Sequence, residues 1–393
     1  MDITIYPGKL SGHVHAIPSK SQAHRVLICA ALADNCTKVI CPDTNKDIEA
    51  TVACLNAIGA KITRVSDGYE IIPIKHIPTT AHINCNESGS TLRFMLPIVG
   101  ALGIDTMIHM EGRLPQRPLS PLWEELERMG CSLDRPTANT IRCKRKLKAG
   151  VYTIDGSVSS QYITGLMLAL PMISKDSSIE ITGTLQSASY VELTKQVIKM
   201  FTSTSSDAHY HSPGPISIEG DWSNAAFFIA ANALGSSVAI SGLCSDSVQG
   251  DRLCETLTNE LSERITIDAA DIPDLVPILS VIAAFNKGAV FQNIARLRLK
   301  ESDRVQSVID LLCALGADAH ATENTLTVEP GNFHCCKIDS CNDHRIAMAA
   351  AIAATAADGP VTIYDAQCVS KSYPAFWDVY EQLGGHYEQY VRK

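Results

Sequence analysis

Six times along the chain a short polar opening leads into a run of apolar residues at helical spacing, and a β-like run follows. The openings are Pro18-Ser19-Lys20-Ser21, Gly89-Ser90-Thr91, Ser157-Val158-Ser159-Ser160, Gly220-Asp221-Trp222-Ser223, Asp271-Ile272-Pro273-Asp274 and Asn342-Asp343-His344. The first predicts a helix over 23–33 and a strand over 37–41. The fourth predicts 225–234 and 237–240, the sixth 346–357 and 361–364. A second, amphipathic helix usually follows, predicted at 47–58, 121–129, 190–200, 252–261, 303–315 and 374–383. Gly59, Gly130, Gly316 and Gly384 punctuate four of these ends. The repeating unit is helix, strand, helix, strand, with extra strands before the next copy, every 50–70 residues or so (roughly). Six copies suggest two halves of three. The best boundary is 201–220, rich in Ser, His, Pro and Gly, where Pro213, Gly214 and Pro215 mark a turn. The stretch 13–19 is its counterpart near the other end.

The chain has 393 residues, enough for two or three domains, and 46% of them are hydrophobic. That excludes a disordered or collagen-like chain. Lys and Arg number 33 against 42 Asp and Glu, a formal charge of -9, which disfavours a nucleic-acid partner. No basic run followed by an apolar stretch opens the chain, and the apolar runs are too short to span a bilayer. The 14 Cys are scattered along the whole chain, as in a reduced, cytoplasmic protein.

Each opening begins a helix, so its free backbone N–H groups can face an anion. The ordinary alternative is N-capping by Ser, Asp or Thr. Lys20 and Arg25 lie in a helix's first turns, where positive charge is badly placed unless an anion offsets it. Gly89 allows close backbone approach at the entrance to Arg93, although no GxxxxGK[ST] order occurs. Arg113 and Arg117 stand in a stiff Pro-bounded loop, and Ser157 to Gln161 offer hydroxyl donors. Lys300-Glu301-Ser302-Asp303-Arg304 packs four charges into five positions, and Asp343-His344-Arg345 opens a very apolar helix. Asp274 and Lys371 lie in similar entries. The cluster His334, Cys335, Cys336, Cys341 and His344 lacks the spacing of a zinc knuckle, because neighbouring residues on a strand point to opposite faces. No GxGxxG or G-x-S-x-G occurs either.

Together these motifs resemble the 3-phosphoshikimate 1-carboxyvinyltransferase (5-enolpyruvylshikimate-3-phosphate synthase) family. The matching runs are Lys20-Ser21 with Arg25, Gly89 through Arg93, Arg113 with Arg117-Pro118, Ser157 through Gln161, Glu219 through Ser223, Leu297 through Arg304, Asp343 through Met348, and Lys371. They occur in family order over almost the whole chain. The sister family acting on UDP-N-acetylglucosamine carries a catalytic Cys in a loop that here, at 111–118, has none. A non-enzymatic anion-binding protein, the rival of another class, would not need Glu301 and Asp274 beside the basic cluster.

The resemblance implies an α/β fold, a two-domain inside-out α/β barrel of six βαβαββ units, three per domain. One domain would cover 16–216 and the other 1–15 with 217–393, with the active site in the cleft between them. It implies transfer of the enolpyruvyl group of phosphoenolpyruvate to shikimate 3-phosphate, by a monomer needing no cofactor or metal. Glu301, Asp274 and Lys20 become the catalytic candidates. Lys20, Ser21, Arg25, Ser159, Ser160, Gln161, Ser187, Tyr190, Asp274 and Lys300 would bind shikimate 3-phosphate. Lys20, Gly89, Arg93, Arg113, Gln161, Arg304, Arg345 and Lys371 would surround phosphoenolpyruvate. Gly89 is where larger residues hinder glyphosate in this family, which makes glyphosate a candidate inhibitor. The chain departs from the usual pattern at Glu87-Ser88-Gly89-Ser90, where Asn-Ala-Gly-Thr is common, at Ala188 in place of Lys, and at 202–218, where a shortened stretch suggests a trimmed outer hairpin.

Overall fold

The six central helices of the computed structural model, which describes residues 1–174, 176–202 and 209–390, are Lys20–Ala31, Gly89–Leu102, Ser160–Ala169, Trp222–Ala233, Val276–Phe285 and His344–Ala354. Three of them start two or three residues before the predicted 23, 225 and 346, inside their polar openings. The cause is capping. Ser19, Ser88, Ser159, Asp221 and Asp343 each turn a side-chain oxygen back onto an amide of the first turn. Apolar periodicity cannot register a turn that is polar by necessity. The helix Val276–Phe285 has no side-chain cap and carries Pro277 in its first turn instead.

The chain packs as two compact units, Pro18–Glu219 and Met1–Ile17 with Gly220–Lys393. The expected divisions at 15/16 and 216/217 lie two or three residues earlier. Each unit has its own apolar core. In each, three buried central helices pack on one another and sheets lie outside them. The helices are apolar all round because they are surrounded by protein. Ala347, Met348, Ala349, Ala350 and Ala351 are all fully buried.

The repeat is legible in the sheets. Strands Thr80–Asn84 and Asp105–His109 run parallel on either side of the helix Gly89–Leu102, and Thr140–Lys144 then Ser132–Thr137 add antiparallel partners. The same order recurs with Ile265–Asp268, Ala289–Gln292, Thr325–Val328 and Ala319–Ala321. Two further four-stranded sheets are completed from a distance. Ile216–Ser217 supplies the first strand beside Thr37–Ile40, and Asp2–Tyr6 inserts between Val361–Tyr364 and His386–Tyr390. Gly59, Gly130, Gly316 and Gly384 follow the second helices with positive φ, as their punctuation implied.

The other two sheets stop at the parallel pair among the described residues. They are Val151–Asp155 with Ser178–Thr182, and Ser11–His15 with Ser237–Ser241. The trimming expected over 202–218 falls in part on residues 203–208, outside the described residues. The fourth unit is also short, which its sequence did not reveal. Its second helix, Cys254–Glu260, leads directly to Ile265–Asp268, the first strand of the next unit. No helix among the described residues is long and apolar enough to cross a membrane, and all 14 cysteines are free.

Candidate functional site

In the unit Pro18–Glu219, Lys20 is the first residue of its helix, so its ammonium lies at the helix's positive end. Asp47 offsets that cost, its Oδ2 lying 3.0 Å from Lys20 Nζ, and both side chains are mostly buried. His24, Thr51, Thr91 and Ser88 form a chain of hydrogen-bond contacts of 2.8 Å that fastens this helix to the start of the helix Gly89–Leu102. His24 is held neutral, first by burial and then by the nearby positive charges of Lys20 and Arg25.

Arg25 is 3% exposed. It donates to Thr194 Oγ1 at 2.8 Å, Ser21 O at 2.6 Å, and both Thr164 Oγ1 and Tyr190 O at 3.2 Å. Its guanidinium lies 5.2 Å from the centroid of Phe94. Burial lowers its proton affinity to about 10, which leaves it charged at neutral pH. The structure thus brings Ser21, Arg25 and Tyr190 together through Arg25. Ser187, left-handed and 2% exposed, ends the loop before Tyr190. Ser159 caps the helix that Ser160 begins. Its oxygen accepts from Gln161 N at 3.3 Å, so its O–H proton can still be given to an anion. Gln161 Nε2 donates to Ser90 Oγ at 3.0 Å.

Arg93 is also buried, donating to Gly89 O at 3.2 Å and Pro118 O at 3.0 Å beside the Tyr162 ring. A Cβ on Gly89 would lie 2.6 Å from Arg93 Nη1 and 2.7 Å from Arg117 Nη1. Only glycine lets both guanidinium groups close over this helix start. Arg117 therefore joins the group, although sequence reasoning gave the role to Arg113. Arg113 is exposed beside the turn Leu114–Gln116. The signal for Arg117 was Pro118, whose carbonyl also accepts from Tyr162 Oη at 2.6 Å and so anchors the loop.

The unit Met1–Ile17 with Gly220–Lys393 carries the acids. Arg304 is 1% exposed and reaches three carboxylates: Asp343 Oδ2 at 2.8 Å, Asp274 Oδ1 at 2.6 Å and Glu301 Oε2 at 2.6 Å. Asp274 takes a second guanidinium through Oδ2, 3.0 Å from Arg345 Nη2, while Lys300 Nζ stands 3.5 Å from its Oδ1. Burial alone would raise the proton affinity of Asp274. The charges of Arg345, Lys300 and Arg304 outweigh it and hold the carboxyl well below the usual range. Burial brings Lys300 down to about 8 against the pull of Asp274. Lys371 donates to Asn342 O at 2.8 Å, just ahead of the helix that Arg345 enters. Sequence reasoning left Asp343 without a role. It is fully buried, caps that helix, and accepts from Ser302 Oγ at 3.1 Å. Among the described residues no three His, Cys, Asp or Glu are grouped to hold a metal ion.

Each unit thus presents buried cations with donors aimed at helix N-termini, and one adds two carboxylates that could exchange protons. The model of the EPSP synthase (3-phosphoshikimate 1-carboxyvinyltransferase) family matches residues 5–380, a span that includes every residue of both groups. The chain belongs to the EPSP synthase family. Similar members include the 3-phosphoshikimate 1-carboxyvinyltransferase of Clostridium beijerinckii, 36% identical over 99% of both chains. That of Clostridium kluyveri is 34% identical over 99% of this chain and 98% of its own. The alignment with the former spans 433 positions, so this 393-residue chain lacks segments that relative has, in keeping with its two short sheets. Among solved structures, an EPSP synthase from Acinetobacter baumannii has the same fold, with a TM-score of 0.77 at 22% identity over 99% of this chain and 100% of that one. The enolpyruvyl transferase NikO from Streptomyces tendae shares it too, with a TM-score of 0.73 at 14% identity over 100% of this chain and 99% of that one. The enolpyruvyl transferase fold of these structures agrees with the α/β fold class that the resemblance implied.

Proposed function

We propose that the protein transfers the enolpyruvyl group of phosphoenolpyruvate to the 5-hydroxyl of shikimate 3-phosphate and releases phosphate, in the route to chorismate and aromatic amino acids. Family membership over almost the whole chain carries this reading, because the matched span contains both charged groups. The work is done, in this reading, by a monomer in the reducing cytoplasm, which suits 14 free cysteines.

The reaction is an addition followed by an elimination. A proton adds to C3 of phosphoenolpyruvate while the 5-oxygen forms its bond to C2 and gives up its own proton. The resulting ketal loses a C3 proton, the bond from C2 to the phosphate oxygen breaks, and the double bond returns. One group must therefore give a proton at C3 and take it back. We assign that role to Glu301, whose carboxylate is steadied by Arg304 and partly open to solvent. Asp274 takes the 5-hydroxyl proton, and Lys20 assists.

The resting electrostatics make Asp274 a weak base. In this scheme Arg345 also receives phosphoenolpyruvate, and Lys300 contacts the hydroxyls of shikimate 3-phosphate. When the substrates draw those cations toward their own charges, Asp274 loses part of its stabilisation and gains proton affinity. Substrate arrival thus creates the base that the addition needs. Arg25, Ser159, Ser160 and Ser187 receive the carboxylate and phosphate of shikimate 3-phosphate. Lys20, Arg93, Gln161, Arg304, Arg345 and Lys371 receive phosphoenolpyruvate, with Arg117 added to this set and Arg113 a more exposed contributor. Fixed donors of this kind stabilise developing charge without reorganising.

The test is phosphate release by the purified protein. Phosphoenolpyruvate with shikimate 3-phosphate gives release, and phosphoenolpyruvate with UDP-N-acetylglucosamine does not. Silence with the first pair refutes the assignment.

A further inference from the structure

Arg25 is buried, yet no carboxylate among the described residues pairs with it, whereas Arg304 reaches three and Arg345 reaches Asp274. Its partners are neutral oxygens on three helices. They are Ser21 O on its own helix, Thr164 Oγ1 on Ser160–Ala169, and Thr194 Oγ1 and Tyr190 O on Ala188–Phe201. The hydroxyl protons can be placed. Thr194 Oγ1 donates to Tyr190 O at 2.7 Å, so in its 2.9 Å contact with Thr164 Oγ1 the donor is Thr164. Both oxygens are thereby left as acceptors for the guanidinium, Thr194 for Nε and Thr164 for Nη2. Both threonines are fully buried, so bulk water does not reach these bonds. A guanidinium has five N–H donors. Here Nε gives one to Thr194, Nη2 gives two to Thr164 and Tyr190 O, and Nη1 gives one to Ser21 O, which leaves one, on Nη1.

We propose that Thr194, backed by Thr164, is a positioning residue for Arg25: the paired hydroxyls occupy the Nε and Nη2 edge, so that an uncompensated charge and one N–H, on Nη1, are kept for the carboxylate of the substrate. This rests on the reading that Arg25 receives the carboxylate of shikimate 3-phosphate. A buried charge is ordinarily paired with an opposite one. A carboxylate at either threonine would meet that need and would then compete with the ligand for the same guanidinium. Hydroxyls satisfy the N–H donors and leave the charge unanswered. The long side chain also loses its rotamer freedom on folding, ahead of the ligand, so binding does not have to order it. The result is selectivity for negative charge. A neutral amide in place of the substrate carboxylate can accept the remaining N–H, but it cannot answer the charge. The same bonds fasten the first turn of Ala188–Phe201 through Tyr190 O, directly after Ser187, which is assigned to the substrate phosphate.

The experiment measures KM for shikimate 3-phosphate at saturating phosphoenolpyruvate, using the full-length protein, Thr194→Val and Thr194→Ser. Valine keeps the shape and removes the acceptor, and serine keeps the acceptor. Thr194→Val should raise this KM about tenfold, the lower end for a hydrogen bond to a charged group. The turnover number should change little, because the contact serves ground state and transition state alike. Thr194→Ser should bring KM back to near that of the parent. The carboxamide of shikimate 3-phosphate, which keeps the phosphate and the 5-hydroxyl, is then read as a competing ligand. Its inhibition constant divided by KM for the carboxylate measures selectivity for charge, and Thr194→Val should lower that ratio about tenfold. An unchanged KM, or equal weakening of carboxylate and carboxamide, overturns the proposal. If Thr194→Val fails to fold, Thr164→Val, which removes the Nη2 acceptor and the donor to Thr194, must itself raise KM and lower the ratio. Nuclear magnetic resonance of the Arg25 Nε–H, assigned by its loss in Arg25→Lys, supplies an arm that needs no substrate. This proton should exchange slowly with solvent in the parent and Thr194→Ser, and fast in Thr194→Val. A parent in which it exchanges as fast as an exposed arginine overturns the proposal without any variant. If the parent releases no phosphate from the two substrates, the enolpyruvyl transfer reading falls, and the Nε–H arm still decides whether Thr194 holds Arg25.

Discussion

Replacing Arg304 by Met removes the charge at the centre of the acidic group while keeping an unbranched stem of similar length. Three carboxylates lose a partner, with unequal consequences. Glu301 is 26% exposed at its side chain and can turn to water. Asp274 keeps Arg345 and Lys300. Asp343 is fully buried and keeps only neutral partners among those described above, Ser302 Oγ and the amide of Arg345. The cost therefore centres on Asp343. Breaking a buried ion pair costs about 3–5 kcal/mol, and the two surviving hydrogen bonds place this case near 3. That is a large share of the roughly 5–15 kcal/mol by which a domain is stable. With a urea slope of about 2 kcal/mol/M, the unfolding midpoint falls by roughly 1.5 M. Fluorescence can isolate the relevant transition, because Trp222 and Trp377 share the unit of Arg304 while Trp123 lies in the other. The comparison is best made in a Trp123→Phe background. Asp274 loses one of its three cations and so adds a smaller, pH-dependent part to the gap: its folded proton affinity is depressed, so that part is present above its unfolded value of about 3.9 and is lost as pH falls through the lower folded one. The gap between the two proteins should hold from pH 8 to about 5 and narrow below about 4. A midpoint shift under roughly 0.5 M at pH 7.5 would show that Arg304 does not neutralise Asp343, and the argument would fail.

Other outcomes test the site directly. Gly89→Ala should raise KM for phosphoenolpyruvate about tenfold or more, because both guanidinium groups must move by a good fraction of an ångström, while stability changes by less than about 1 kcal/mol. An unchanged KM would mean that Arg93 and Arg117 do not meet the substrate. Since Lys300 loses its proton near 8, kcat/KM for shikimate 3-phosphate should fall above that pH, and Lys300→Arg should abolish this limb; the same limb in the variant would assign it to another group. Glu301→Gln should lower kcat by roughly 100-fold or more with little change in KM, as loss of a general acid–base predicts. Equal turnover would remove Glu301 from the proton transfer.

The sequence by itself determined the sixfold repeat, the class of fold and the charged segments of the site. These are local properties. Apolar periodicity reports which face of a helix is buried, and a polar opening reports a helix start. Family-specific runs such as Lys300 to Arg304 are contiguous. What the chain joins across long separations was settled only by folding. Ile216–Ser217 beside Thr37–Ile40 and Asp2–Tyr6 beside both Val361–Tyr364 and His386–Tyr390 are strands completed by distant segments, and a strand carries no local mark of its partner. Arg113 and Arg117 share one loop and one residue type; only packing turned Arg117 over Gly89 and left Arg113 exposed. Asp47 and Asp343 carry no local mark of the distant cations they pair with, Lys20 and Arg304. An aspartate's chemistry is set by desolvation and by nearby guanidinium groups, and tertiary structure alone supplies both.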